Sequence, residues 1–334
     1  MLTTLQGMTT VLHPAPLVAA AAADGLTLDV VDKVALTETV CAITLAEPDG
    51  RRLPDWSPGA HIDIVLPGDL VRQYSLCGDR WDPFRYRIAV LREPDGRGGS
   101  RFVHESLRVG DRLPIGGPRN NFDLVPAKRY VFVAGGIGIT PIVPMLRAAD
   151  RVGTPWTLLY CGQTVESMAF GHELRDDGRV TVWPTAERGR PDVAALCATA
   201  GTGTKVYGCG PASMIAALLE AGGALPAGSV RVERFTAGTL AAPVRHRAFE
   251  VELRQTGTTV TVSPGESVLE ALGAAGVPML SSCRHGICGT CEATVLYGIP
   301  DHRDSLLTDD ERRRNDCMFV CVSRSCSDRL VLDL

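Results

Sequence analysis

The sequence predicts a multidomain chain: an antiparallel β domain, then a parallel α/β domain, then a small α+β module. Three observations predict it. From Leu26 to about Val125, short apolar alternations are broken by Pro, Gly and Asp, the texture of a barrel or sandwich. From Lys128 the chain turns to continuous apolar runs separated by helical stretches, the texture of a parallel sheet with crossover helices. Past residue 247, a hairpin and a helix lead into three closely spaced cysteines. A length of 334 residues has room for two or three such units.

Composition narrows the class. Hydrophobic content of 45% and charged content of 22% are ordinary for a globular protein. A net charge of −4 gives no electrostatic reason to expect a nucleic-acid partner. The eleven cysteines are odd in number and scattered, which suits a reducing cytoplasm better than a disulfide framework. The apolar run Leu17–Ala23 is like a short signal core, but no Lys or Arg precedes it. Residues 1–25 are therefore expected to be a mobile tail, and no apolar run is long enough to span a membrane.

The elements follow in order. In the first domain, strands are expected over 27–31, 41–46, 61–66, 74–77 and 86–92, with a helix over 101–107. In the second, the run 130–134 meets a glycine-rich turn and a helix over 142–150. Buried strands at 157–161, 180–184 and 205–208 follow, then a helix over 212–221. Residues 237–247 look like a linker. The third module opens with strands 249–255 and 258–263 turning at Gly257, then a helix over 267–275.

Cys283, Cys288 and Cys291 are separated by four and then two residues, the plant-type spacing for a 2Fe–2S cluster held by four thiolates. The loop must curl tightly, and Gly286 and Gly289 allow positive φ inside it. Cys317, Cys321 and Cys326 compete to be the fourth ligand. Cys321 is favoured because Met318-Phe-Val-Cys-Val is an apolar, β-like run that carries it inward. Structural zinc usually takes two C-x2-C pairs, and only one is present. A Rieske centre needs two histidines, and His285 and His302 lack the pairing.

Two glycine-rich turns end apolar strands and open helices: Gly135-Gly-Ile-Gly-Ile-Thr-Pro141 and Gly208-Cys-Gly-Pro211. Gly135, Gly136 and Gly138 would let backbone approach a phosphate-bearing ligand, and Gly210 with Pro211 would line the same crevice. The first turn is not the strict G-x-G-x-x-G fingerprint, since Thr140-Pro141 interrupts it. In the first domain, Arg72-Gln-Tyr-Ser-Leu76 offers a phosphate fork, a ring face and a small hydroxyl. Gly96-Arg-Gly-Gly-Ser100 opens a helix suited to an anion, with Ser100 able to serve as an N-cap.

Together with Pro118-Arg-Asn120, Glu233-x-Phe235, Met318–Arg324 and Leu330–Leu334, and in this order, these motifs resemble the phthalate dioxygenase reductase and vanillate demethylase reductase family over about residues 26–334. The resemblance implies an FMN-binding antiparallel β-barrel (26–126), an NAD-binding α/β parallel-sheet domain (127–236), the linker, and a plant-type ferredoxin module of β-grasp form (248–334). It implies that Arg72, Tyr74 and Ser75 contact FMN and that Gly98, Gly99 and Ser100 bind its phosphate. Thr140 would lie between flavin and nicotinamide, Cys209 near the nicotinamide and Phe235 near the flavin ring. It supports Cys321 as fourth ligand. The segment Cys161–Glu166 after the second α/β strand lacks Lys and Arg, favouring NADH over NADPH.

The implied activity is hydride transfer from NADH to FMN, then single electrons through the 2Fe–2S cluster to a terminal oxygenase of Rieske type. A haem monooxygenase as acceptor, or a stand-alone reductase of small acceptors, remains open, as does a non-enzymatic redox sensor. No acid or base catalyst is required; Asp63, His61 and His104 read as surface or packing residues. A monomer in the cytoplasm is expected.

Overall fold

The computed structural model describes residues 26–334, apart from Asp69, Asp95, Arg97, 236–239 and Ala241. The expected tail, and residues 237–239 and 241 of the expected linker, therefore lie outside the described residues.

The first unit is a six-stranded antiparallel sheet: β1 (Leu26–Ala35), β2 (Val40–Ala46), β3 (His61–Leu66), β4 (Leu70–Ser75), β5 (Arg85–Leu91) and β6 (Arg112–Arg119). Its order is β4-β3-β6-β1-β2-β5, and a bridge between Leu76 and Ile88 brings the two edges together into a barrel. Fully buried Leu28, Ile43, Leu45, Ile62 and Ile88 fill it. β4 begins four residues earlier than the sequence indicates, because Pro67-Gly68 makes a tight hairpin that pairs Leu66 with Leu70. β6 escapes the sequence reading altogether. Its two glycines and two prolines look like a loop, and a register shift between the His61 and Asp63 pairs accommodates them beside β3. Helix α1 (Gly99–Glu105) spans β5 to β6. Lys33 Nζ donates to the carbonyls of Val103, His104 and Leu107 at 2.7, 2.9 and 2.9 Å, tying the end of α1 to β1.

The second unit is a parallel sheet of β7 (Arg129–Gly135), β8 (Trp156–Gly162), β9 (Val180–Pro184), β10 (Thr204–Cys209) and β11 (Val230–Glu233), ordered β11-β10-β7-β8-β9. Helices α2 (Ile142–Arg151), α3 (Gly171–Leu174), α4 (Thr185–Arg188), α5 (Val193–Ala198) and α6 (Ala212–Gly222) connect the strands. The order reverses between β7 and β10, the switch point where such sheets open a ligand crevice. Phe122, Tyr130, Phe132 and Tyr207 stack at the barrel side of this sheet. The Tyr207 hydroxyl donates to Asp123 O and accepts from Val125 N, bonding the interdomain connection to β10.

The third unit contains β12 (Phe249–Leu253), β13 (Thr259–Val262), α7 (Val268–Ala274), β14 (Glu292–Tyr297), β15 (Pro300–Asp301), α8 (Asp309–Arg314), β16 (Cys317–Phe319), β17 (Arg324–Ser325) and β18 (Arg329–Leu332). Its mixed sheet runs β13-β12-β18-β14-β16. A capping box of Ser267 and Glu270 starts α7. The late linker is fastened to this unit: Arg245 donates to Cys326 O at 2.6 Å and pairs with Asp328, and Val244 N donates to Asp301 at 3.0 Å.

Candidate active site

One cavity of about 490 Å³ lies where the three units meet, walled by β4 and the start of α1, by Ile137 and Thr140 in the turn after β7, by the end of β11, and by Ile287, Ser305 and Leu306 of the third unit. Arg72, Tyr74 and Ser75 all reach it. Arg72 lies across the glycine loop before α1: a Cβ at Gly99 would come within 2.9 Å of its Cγ, so only glycine fits beneath it. Gly98 takes φ +90, the left-handed turn that aims the following amides. Ser100 is not the cap of α1, which begins one residue earlier. Its Oγ accepts from Glu93 N at 3.0 Å and faces the cavity. Burial holds the Tyr74 phenol up at about 12, so it stays a neutral donor.

The glycine turns are packed against each other. A Cβ at Gly138 would lie 2.3 Å from Cys209 O, and one at Gly135 would lie 2.6 Å from the Pro211 ring. A Cβ at Gly210 would lie 2.9 Å from Gly135 Cα. These three glycines let the ends of β7 and β10 touch, whereas Gly136, at φ +53 with nothing within 4 Å of a Cβ, faces open space. Thr140 is 2% exposed at the cavity edge and turns its hydroxyl to Ile137 O at 3.0 Å. Phe235 stands on the opposite wall, 39% exposed.

Cys209 is fully buried at the end of β10, and its thiol donates to Glu233 at 3.9 Å. Desolvation lifts the Glu233 carboxyl to about 8, against the Cys209 hydrogen bond, so the acid is protonated at neutral pH. Sequence reasoning noticed Glu233 only as part of a motif; its pairing with Cys209 comes from the parallel register of β10 and β11. His61, expected to pack or face solvent, also lines the cavity. Its buried Nε2 has no partner among the described residues, and burial, then Arg119, holds the imidazole down to about 4 against the pull of Asp63. Asp63 is 1% exposed and pairs with Arg119, so it is no surface residue. His104 does pack, its Nε2 lying 2.9 Å from Val90 O and 3.5 Å from Cys41 Sγ.

The cysteine loop closes the site. Thiol contacts link Cys288 to Cys283, Cys283 to Cys321 and Cys321 to Cys291. Among the described residues no three His, Cys, Asp or Glu side chains close around a point for a lone ion; the four thiols form a more open set. Gly286 and Gly289 take φ +68 and +78. His285 N donates to Cys283 Sγ at 3.3 Å, and amides of Ile287 and Gly286 bear on Cys283 and Cys321. Four thiols with backbone donors aimed at their sulfurs are the donor set of an iron–sulfur centre. Contact with Cys283, then burial, pushes the Cys288 thiol well above its ordinary range. Loading iron there must therefore release protons. Cys321 lies in the buried turn after β16 and not within the strand expected there. Cys317 pairs within β16 and Cys326 donates to Pro300 O at 3.8 Å, away from the other thiols.

Residues 251–326 match the 2Fe-2S iron-sulfur cluster binding domain. Phenoxybenzoate dioxygenase subunit beta of Ectopseudomonas oleovorans is 40% identical over 300 residues, 89% of this chain and 93% of that protein. A solved phthalate dioxygenase reductase, described as a modular structure for electron transfer from pyridine nucleotides to [2Fe-2S], is 34% identical at a TM-score of 0.69, covering 94% of this chain and all of that one. The chain belongs to the phthalate dioxygenase reductase family. Within the family's barrel, nucleotide and ferredoxin modules, Ile137 and Thr140 of the first glycine turn and Ile287 of the cysteine loop line one cavity, while the Gly208–Pro211 turn packs behind the first turn and does not line it. An intact type IV self-sufficient cytochrome P450 monooxygenase is also similar, 44% identical at a TM-score of 0.86; the match covers 92% of this reductase and 41% of that longer chain.

Proposed function

We propose that this chain is the NADH-dependent reductase component of a multicomponent oxygenase or demethylase, delivering electrons to a terminal oxygenase of Rieske type. The observation that carries it is the single cavity shared by all three modules, with the cysteine loop forming part of its closure. Bound FMN supplies the conversion of a hydride's electron pair into single electrons, and the cluster supplies a one-electron outlet. Arg72 with the Gly98–Ser100 amides would hold the flavin phosphate, while Tyr74 and Ser75 would orient the ring and His61 Nε2 would offer it a hydrogen-bonding edge. Phe235 would shield the flavin ring from water, and Thr140, with Gly136 and Cys209 behind it, would bound the nicotinamide side. Protonated Glu233 keeps a negative charge away from the hydride path. Cys283, Cys288, Cys291 and Cys321 hold the cluster.

The NADH preference rests on the cation-free 162–166 loop, with neighbouring Arg188 committed to the Trp183 ring at 3.9 Å. All eleven cysteines are free, which fits a cytoplasmic protein; a monomer is the assembly we assign. Anaerobic titration with NADH, followed by visible absorbance, tests the reading. Uptake of about three electrons per chain, bleaching flavin and cluster together, is expected; a chain that takes up two, or none, refutes the relay. The 44% identity to 41% of a self-sufficient cytochrome P450 monooxygenase favours a second acceptor, a haem monooxygenase. Reduction of a purified haem monooxygenase faster than of a Rieske oxygenase would select it.

A further inference from the structure

The barrel wall facing the cysteine loop carries polar groups that complete their hydrogen bonds on that loop. Asp63, on β3 at the register shift with β6, is 1% exposed. One of its carboxylate oxygens accepts from the Arg119 guanidinium. The other accepts from Ser282 Oγ at 3.0 Å, the residue preceding Cys283. The same Arg119 Nη2 reaches Thr290 Oγ1 at 3.3 Å, and Gln73 Nε2 reaches that oxygen at 3.4 Å. Thr290 stands between Cys288 and Cys291, with its Oγ1 3.3 Å from Cys288 Sγ. A hydroxyl has two acceptor sites and one hydrogen. Two barrel donors fill the acceptor sites, and the hydrogen is left for Cys288 Sγ when that sulfur is a thiolate ligand. Asn121 Nδ2 adds a bond to Cys288 O at 2.8 Å, and a Cβ at Gly289 would meet the Asn121 amide at 3.0 Å.

A buried carboxylate is costly unless fully paired. Asp63 has one partner inside the barrel and finds its second only across the domain boundary. We propose that Asp63 and Arg119 are positioning residues which latch the cysteine loop to the barrel through Ser282 and Thr290, fixing the separation between flavin cavity and cluster. The inference rests on the electron-relay reading. The step it governs carries one electron from reduced flavin to cluster iron; no bond forms or breaks, and its rate falls steeply with separation. The preceding hydride step would involve Thr140 and Phe235, neither of which touches the latch residues.

Stopped-flow spectrophotometry of the holoprotein with NADH separates the two steps. In Asp63→Asn and Thr290→Val, flavin bleaching and NADH-driven ferricyanide reduction proceed at the wild-type rate. Transfer from flavin to cluster slows at least about tenfold, the loss of one charge-assisted hydrogen bond. Two further readouts do not depend on turnover. Thr290→Val shifts the EPR g-values of the reduced cluster, and Thr290→Ser restores them. Amides of 282–291 exchange hydrogen faster in Asp63→Asn. Wild-type transfer with unchanged loop protection in Thr290→Val overturns the proposal, and that variant decides the matter if Asp63→Asn does not fold. Failure of the relay reading shows differently: the wild-type cluster would not be reduced by NADH at all.

Discussion

Two side chains on the cavity wall set how the fold responds to pH. His61 has its pKa lowered from 6.5 to about 4, so between these values the unfolded chain binds a proton that the native chain refuses. Stability from this group is complete above 6.5 and is lost as pH falls toward 4. Glu233 is raised from 4.5 to about 8, so the native chain keeps a proton that the unfolded chain has released. Its contribution is complete below 4.5 and is lost as pH rises through 8. Thermal melts of the flavin-free protein against pH should show His61→Asn flattening the acid limb and Glu233→Gln flattening the alkaline limb. An unchanged profile in either variant would remove that residue from the account. At the cluster, Cys321→Ser should abolish the iron–sulfur absorption and EPR signal, while Cys317→Ser and Cys326→Ser keep both. Cys283, Cys288 and Cys291 were readable from spacing because one loop supplies all three, whereas Cys321 is favoured over Cys317 and Cys326 by the apolar run around it. Glu233 and Asp63 were not readable, since each acquires meaning from a partner on another strand or module, as with the 219-residue separation of Asp63 from Ser282.

At the level of elements, the glycine turns were legible as turns but not in their reason. Gly135, Gly138 and Gly210 are required by contact between two strand ends. Gly138→Ala would push a methyl against Cys209 O and should destabilise the protein by about 1–3 kcal/mol, seen as a lower denaturation midpoint together with weaker NADH binding. Lys33→Met removes three bonds to carbonyls at the end of α1 and should cost about 2 kcal/mol. It should also loosen FMN, because the other end of that helix carries Gly98–Ser100; fluorescence titration of the flavin-free protein checks this. β3 and β9 were found at their expected bounds, although β9, expected to be buried, is an edge strand buried only at Pro184. β6 was hidden because its prolines and glycines signal a loop; regular pairing with β1 makes a strand of it, and the register shift beside His61 fits it to β3.

Across the whole molecule, the order of modules was legible through motif order, whereas their mutual fit was not, because no single sequence shows which surfaces touch. Stripping iron by mild acid and chelation should leave NADH-driven ferricyanide reduction near its starting rate and abolish reduction of a one-electron protein acceptor such as cytochrome c. Parallel loss of both activities would mean the modules do not work in series.

The way the late linker is fastened sets a limit on travel. Val244 and Arg245 are bound to the ferredoxin module, and β11 ends at Glu233. Only eleven Cα steps separate residues 233 and 244, which fully extended cover about 40 Å. Any swing of the iron–sulfur head toward a large acceptor is thus on a short leash. The module's anchor at Val244 can therefore lie no farther than that from the end of β11 whichever acceptor it meets.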